Sequence, residues 1–219
     1  LIHKVIEKIY EPYIGLNLEI KHIDLMKKKL VTESVNSFAE LYSKEPQGKN
    51  LIFIEVLKEY INNTLDYERD QLESQKAQIK IISLEQKIST NLKVKNNDVK
   101  LNGIIDRIDL FNGELRIIDY KSGSVKQGVL DLKNIESIKK DYKYSNLLQL
   151  LFYKYLAASF YKNKEIKDVG ICYLKKRNSP FQFISNHSIL SIDEIQKILS
   201  DVILNILETN EFIDSGNPL

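Results

Sequence analysis

The chain has 219 residues, and its 43% hydrophobic and 28% charged residues are typical of an ordinary globular protein with one sizeable core or two small domains. Its single cysteine, Cys172, excludes an internal disulfide and any zinc or iron–sulfur site held by cysteines of this sequence, and predicts a cytoplasmic location. No apolar run reaches the ~18 residues of a membrane-spanning helix. The net charge of +2 does not predict a nucleic-acid partner, which has to be argued from a local site.

The first third of the sequence has the hydrophobic period of helices. Apolar side chains at positions 2, 5, 6 and 9 share one face of an opening helix, and further helices are predicted from about Leu18 to Tyr42 and from about Leu51 to Gln75. The third helix ends in a polar run over residues 67–71, which predicts that this end leaves the core. We therefore expect a helical N-terminal lobe over residues 1–76.

From residue 77 onward the hydrophobic period changes to two, which indicates β-strands. Strands are predicted over residues 79–88, 99–110, 114–120, 169–174 and 181–184, with helices over 145–161 and 192–207. Ser191 and Glu194 form a capping box at the start of the last helix. We expect an α/β core over residues 77–219, a single domain in all and, because the first residue is Leu, a fragment of a longer chain.

The dipeptide Asn112-Gly113 lies between two alternating apolar runs, which predicts a two-residue hairpin with a type I′ turn. A turn of this length determines the register of the two strands. Asp106 then lies opposite Asp119, with the two Cβ atoms roughly 5 Å apart. The same face is expected to carry Ile104, Ile108 and Ile117.

Two carboxylates this close repel each other, so that one takes up a proton or a cation lies between them. Lys121 lies two residues beyond Asp119 and therefore on the same face of the strand. These three side chains predict a divalent-metal site, and oxygen ligands favour Mg²⁺ or Mn²⁺. A solvated pair of aspartates at the sheet end is the alternative, and a bulge would change the register. A second Asp-x-Lys at residues 141–143 follows no apolar strand and is interpreted as solvated.

Other side chains could join this site. Glu85 on the preceding strand could point into it, or it could be an exposed strand residue. Gln149 and Tyr153 have i, i+4 spacing and share a helix face, which is also typical of a half-buried amphipathic helix. A lone histidine at a helix start, such as His3, is more often structural than a ligand. The opposite face of the hairpin carries residues interpreted as structural, which are Arg107 and the charge pair of Asp109 with Arg116.

Taken together, these motifs resemble the PD-(D/E)XK nuclease superfamily in its RecB/AddB-like exonuclease branch. The resemblance rests on Leu1–Glu7, Gly103–Asp109, Ile118–Gly123 and Gln149–Tyr153, in the order that the family has them. It implies a restriction-endonuclease-like mixed sheet flanked by helices. It also implies metal-dependent hydrolysis of phosphodiester bonds in DNA.

The resemblance implies a role for each candidate residue. The implied metal ligands are His3, Asp106, Asp119 and the backbone carbonyl of Tyr120. Lys121 would position the attacking water and stabilise the developing charge, and Glu85 would be an outer ligand or a ligand of a second metal. Gln149 and Tyr153 would contact the DNA strand and its phosphates.

The resemblance also implies partners. Nuclease domains of this branch commonly lie at the C-terminus of helicase-related chains, so we expect a helicase module in the same chain or complex and a role in DNA repair and recombination. Two alternatives stay open. The chain could be a non-cleaving DNA-end-binding module of the same fold, or an α/β interaction domain whose carboxylate pair is accidental.

Overall fold

A computed structural model of the chain describes residues 1–123, 130, 138–139, 141–162, 164–184 and 190–209. Residues 1–76 form three helices, which are α1 (Ile2–Tyr10), α2 (Ile20–Tyr42) and α3 (Lys49–Glu73). A 3₁₀ turn over Glu11–Tyr13 ends α1, because Pro12 cannot continue the helical hydrogen bonds. The predicted helices are confirmed, with small differences at their ends.

The described part of the chain forms one mixed sheet in the order β1-β2-β3-β4-β5. Its strands are β1 (Ile79–Val94), β2 (Asn97–Phe111), β3 (Glu114–Lys121), β4 (Ile166–Tyr173) and β5 (Phe181–Phe183). Strands β3 and β4 are parallel and the other neighbours are antiparallel. Helix α4 (Ser145–Phe160) lies in the crossover between β3 and β4, and α5 (Ile192–Glu208) follows β5. The capping box at Ser191 is confirmed.

Helices cover both faces of the sheet. The first apolar cluster joins α1, α2 and α3 to one face, with Val5, Ile23 and Ile61 among its buried members. The second joins α4 and α5 to the other face, for example through Leu150 and Ile195. The predicted α/β architecture is therefore confirmed. No helix in the described ranges has both the length and the apolar character to cross a bilayer.

The polar end of α3 remains in the core, so the prediction that it leaves the core is wrong. Glu68 is 1% exposed, and its carboxylate lies 2.6 Å from the guanidinium of the fully buried Arg107. A buried charge needs such a partner. The polar run at this helix end therefore marks a buried ion pair.

The hairpin between β2 and β3 has the predicted turn, and its register is as predicted up to the pair Arg107–Ile118, one position before the expected pair of Asp106 with Asp119. Asn112 and Gly113 have φ angles of 52° and 87°, as a type I′ turn requires. The ladder runs from the pair Phe111–Glu114 to the pair Arg107–Ile118. Register shifts occur between β1 and β2, at positions 81–83, and between β3 and β4, at positions 115–116, so neither alters the pairing of β2 with β3 in the hairpin.

The side-chain alternation of β2 changes its phase close to Asp106. Ile105 and Ile108 are three positions apart, yet both belong to the apolar cluster beneath α4 and α5, which strict alternation would not allow, and Ile104 is 43% exposed. The expectation that Ile104 shares the apolar face of Asp106 is therefore wrong. Five consecutive residues of β2, Ile105–Asp109, are buried because helices cover both faces of the sheet, so the Asp106 carboxylate lies in the interior.

Candidate metal centre

Three side chains from three separate elements converge beside the sheet. His3 lies in the first turn of α1, Glu85 in β1 and Asp106 in β2. His3 Nδ1 is 3.4 Å from Asp106 Oδ1 and 3.5 Å from Glu85 Oε1. One potential ligand atom from each residue lies within 4.8 Å of the other two. Two carboxylates and one imidazole at this spacing form a donor set suited to a divalent cation.

Glu85 adopts an unusual backbone conformation for a strand residue. Its φ of 46° lies in the left-handed region, and it falls between the ladder pairs Leu84–Arg107 and Gln86–Ile105. A residue other than glycine in this region costs about 1–3 kcal/mol and persists where surrounding contacts impose it. This conformation lies opposite Asp106, where the phase of β2 changes, and the Glu85 carboxylate reaches His3 there.

Asp106 interrupts the hydrogen bonding between β2 and β3. Its Oδ2 accepts a hydrogen bond of 2.7 Å from the backbone N–H of Tyr120. The side chain thus replaces the backbone acceptor beyond the last ladder pair, Arg107–Ile118. This bond leaves Oδ1 directed at His3, so that Asp106 holds β3 with one oxygen and offers the other to the site.

Asp119 is a buried carboxylate whose ionised form is disfavoured by its surroundings. It is 2% exposed, and burial together with the negative charge of Asp106 raises its pKa from the usual 3.8 to about 6. Its Oδ2 is 3.0 Å from Lys121 Nζ but receives no well-formed hydrogen bond from the described residues. A buried carboxylate oxygen without a hydrogen bond fits a position beside a cation. Asp119 adjoins the group of His3, Glu85 and Asp106 and is not one of its three members.

The imidazole of His3 is held between two carboxylates. The adjacent carboxylates of Asp106 and then Glu85 raise the pKa of His3 to about 10, so that it is protonated near neutral pH. A metal ion ligated by this imidazole would have to displace that proton. The His3 side chain is 41% exposed, which leaves this side of the site accessible from solvent.

A chain of hydrogen bonds leads from Lys121 to α4. Lys121 Nζ donates to Gln149 Oε1 at 2.9 Å, and Gln149 Nε2 donates to the Tyr153 hydroxyl at 2.8 Å. Helix α4 can approach β2 closely because position 103 is glycine. A Cβ atom built there would lie 2.5 Å from Leu156 Cδ1. The structure therefore brings Gln149 and Tyr153 next to the site residues.

The other predicted structural residues lie apart from these side chains. Arg107 is fully buried and Asp109 accepts hydrogen bonds from both Arg107 and Arg116, so this charge pair belongs to a buried network. Glu68, the remaining carboxylate of that network, was not singled out by the sequence analysis. The second Asp-x-Lys is exposed at Asp141 and Lys143, in agreement with the solvated interpretation.

Comparisons with known proteins identify the family. A sequence profile described as PD-(D/E)XK nuclease superfamily matches residues 1–215. None of the curated proteins compared with the chain matches it significantly. Among solved structures, one titled "Crystal structure of SSO0001" matches with 14% identity and a TM-score of 0.36, over 85% of this chain and 88% of that chain. That likeness is too low to support an argument. The profile covers nearly the whole sequence and agrees with the mixed sheet flanked by helices, so the chain belongs to the PD-(D/E)XK nuclease superfamily, whose members hydrolyse phosphodiester bonds on a restriction-endonuclease-like fold.

Proposed function

We propose that this protein is a Mg²⁺- or Mn²⁺-dependent deoxyribonuclease of the RecB/AddB-like branch, acting as an exonuclease in DNA repair and recombination. The observation that carries the proposal is the convergence of His3, Glu85 and Asp106, with ligand atoms within 4.8 Å of one another. The Asp119–Lys121 ion pair lies beside them on β3. Residues 1–76 and 77–219 would act together as one nuclease domain, because α1 supplies His3 and the sheet supplies the carboxylates.

The ligands of the metal in this proposal are His3, Asp106, Asp119 and the backbone carbonyl of Tyr120. Glu85 would be an outer ligand or a ligand of a second ion. A divalent ion bound there would lower the pKa of a bound water and neutralise charge that develops on the phosphate. The protein itself holds the Lys121 ammonium between Asp119 and Gln149, where it would orient the water and stabilise the added negative charge.

Helix α4 would provide the contact to the DNA strand. Gln149 is half-buried and uses its side-chain oxygen to hold Lys121, while one of its amide hydrogens bonds to Tyr153. The remaining amide hydrogen has no acceptor among the described residues and would donate to a phosphate oxygen. Tyr153 is 8% exposed, so its hydroxyl would act by orienting Gln149.

The proposal includes a helicase module in the same chain or complex. The formal net charge of +2 supports this part, because a nuclease that captures DNA by itself needs many phosphate contacts, whereas one supplied with DNA by a motor needs few.

A cleavage assay tests the proposed activity. Linear single- and double-stranded DNA and a circular single strand are incubated with Mg²⁺ or Mn²⁺, and we expect products from the linear substrates only. Lys121→Ala should lower the rate by a factor on the order of a hundred or more. Lys143→Ala, in the exposed second Asp-x-Lys, is the matched control and should retain the wild-type rate.

Three results would contradict parts of the proposal. Undiminished cleavage in excess chelator, or in Lys121→Ala, would exclude this metal-dependent mechanism. Cleavage of the circular strand would show an endonuclease. Metal-dependent binding of DNA ends without any cleavage would favour the end-binding alternative.

A further inference from the structure

We infer that a buried ionic cluster between α1, α3 and strands β2 and β3 sets the spacing of the proposed metal ligands. We call Tyr10, Glu68, Arg107 and Tyr120 the Arg107 cluster. They are part of the buried network described above, in which Arg107 also donates to Asp109. These four are positioning residues, since none of them offers a side chain to the three-residue group of His3, Glu85 and Asp106. The inference rests on the proposed function for the identity of the ligands.

Arg107 connects the members of the cluster. Its Nη1 donates to Glu68 Oε1 at 2.6 Å and to the Tyr120 hydroxyl at 3.3 Å, and its guanidinium lies 5.1 Å from the centre of the Tyr10 ring. The Tyr10 hydroxyl donates to the second oxygen of Glu68 at 2.5 Å. Both oxygens of Glu68 are thereby used, one for α1 and one for β2.

Three members of the cluster, Tyr10, Arg107 and Tyr120, lie on the same elements as proposed ligands and close to them. Tyr10 lies seven residues after His3 in α1, which places both on one face of the helix, two turns apart. Arg107 directly follows Asp106 in β2. Tyr120 directly follows Asp119 in β3.

Tyr120 and Arg107 also connect to the remaining groups. The backbone N–H of Tyr120 donates to Asp106 Oδ2, and its ring packs edge-on against the His3 ring, with centroids 6.3 Å apart. Arg107 forms a ladder pair with Leu84, the residue before Glu85. Proposed ligands lie in α1, β1, β2 and β3. Arg107 belongs to β2, and it contacts one residue of each of the other three elements.

Such a cluster restricts geometry more strongly than apolar packing does. The guanidinium presents its donors in a planar, fixed arrangement. The buried charges of Arg107 and Glu68 also cannot separate without a large desolvation penalty. Helix α1 has only nine residues and gains little stability from its own hydrogen bonds, so tertiary contacts have to determine where His3 lies. Loosening the cluster should therefore weaken metal binding more than it weakens folding.

Mn²⁺ binding tests this inference without depending on cleavage. Glu68→Gln keeps the shape of the side chain and removes its charge, and we expect its Mn²⁺ dissociation constant to rise about tenfold, as for other residues that orient ligands. Tyr10→Phe removes one hydroxyl and is the milder variant if Glu68→Gln does not fold. Ile61→Val, an apolar change in the same helix and the same apolar cluster, is the matched control and should leave the constant unchanged.

A metal-free measurement separates this inference from the proposed function. Nuclear Overhauser contacts between the His3 and Tyr120 rings should be present in the wild type and in Ile61→Val, and should be lost or weakened in Glu68→Gln. An unchanged dissociation constant and unchanged ring contacts in Glu68→Gln would overturn the inference, as would an equal weakening in Ile61→Val. Failure of the wild type to bind Mn²⁺ would contradict the proposed function, while the ring contacts would still decide whether the cluster positions His3.

Discussion

Replacing Asp119 by asparagine should stabilise the metal-free protein at neutral pH. Burial and the charge of Asp106 raise the pKa of Asp119 from 3.8 to about 6 in the folded state. The folded protein therefore binds this proton more tightly than the unfolded chain does. The contribution of Asp119 to stability is therefore most favourable below pH 4 and becomes less favourable as the pH rises through about 6, because ionisation of the buried carboxylate is unfavourable.

The size of the effect follows from the same pKa difference. A rise from 3.8 to about 6 corresponds to about 3 kcal/mol of lost stability above pH 7, at roughly 1.4 kcal/mol per pH unit. This pKa already includes the attraction to Lys121, which lies 3.0 Å away. We therefore expect Asp119→Asn to gain stability relative to the wild type as the pH rises from about 4 to 7, with a total difference on the order of 3 kcal/mol.

Urea unfolding in excess chelator measures this difference at a series of pH values. Asp141→Asn is the matched control, because the backbone and side-chain hydrogen bonds of Lys143 lower the pKa of the exposed Asp141. Its stability difference should be small and of the opposite sign. Parallel curves of stability against pH for Asp119→Asn and the wild type would refute the reasoning, since they would show that the Asp119 carboxylate is not destabilised by its surroundings.

Three further predictions concern the site, its support and its affinity for DNA. Mg²⁺ should raise the melting temperature of the wild type and leave that of Asp106→Asn unchanged in a thermal-shift assay, because bound metal stabilises only a folded site that retains this ligand; an equal shift would place the ion elsewhere. Gly103→Ala should cost about 1–3 kcal/mol in urea unfolding, because its methyl group would meet Leu156 and displace α4; unchanged stability would contradict the close approach. The isolated protein should bind DNA weakly, with a shallow dependence on salt in fluorescence anisotropy; a steep dependence would favour a nuclease that captures DNA by itself.

Local sequence patterns specify those parts of this protein that depend on neighbouring residues. Asn112 and Gly113 specify the hairpin because both must adopt positive φ angles, and a two-residue turn allows a single register. Ser191 and Glu194 specify the start of the last helix through reciprocal hydrogen bonds three residues apart. The hydrophobic period distinguishes helices from strands, because it too depends only on residues a few positions apart.

Features that join distant segments depend on how the whole chain folds. The left-handed conformation of Glu85 and the buried position of Glu68 depend on β2, which follows them in the chain, so no local pattern reveals them. A polar run at a helix end predicts solvent exposure unless its partner is known, and the partner of Glu68 is Arg107, 39 residues away. In the sequence, His3 cannot be distinguished from a structural histidine, whereas in the folded protein it lies beside Asp106 and Glu85. The sequence specifies local conformation, but a metal site requires groups from several elements to come together.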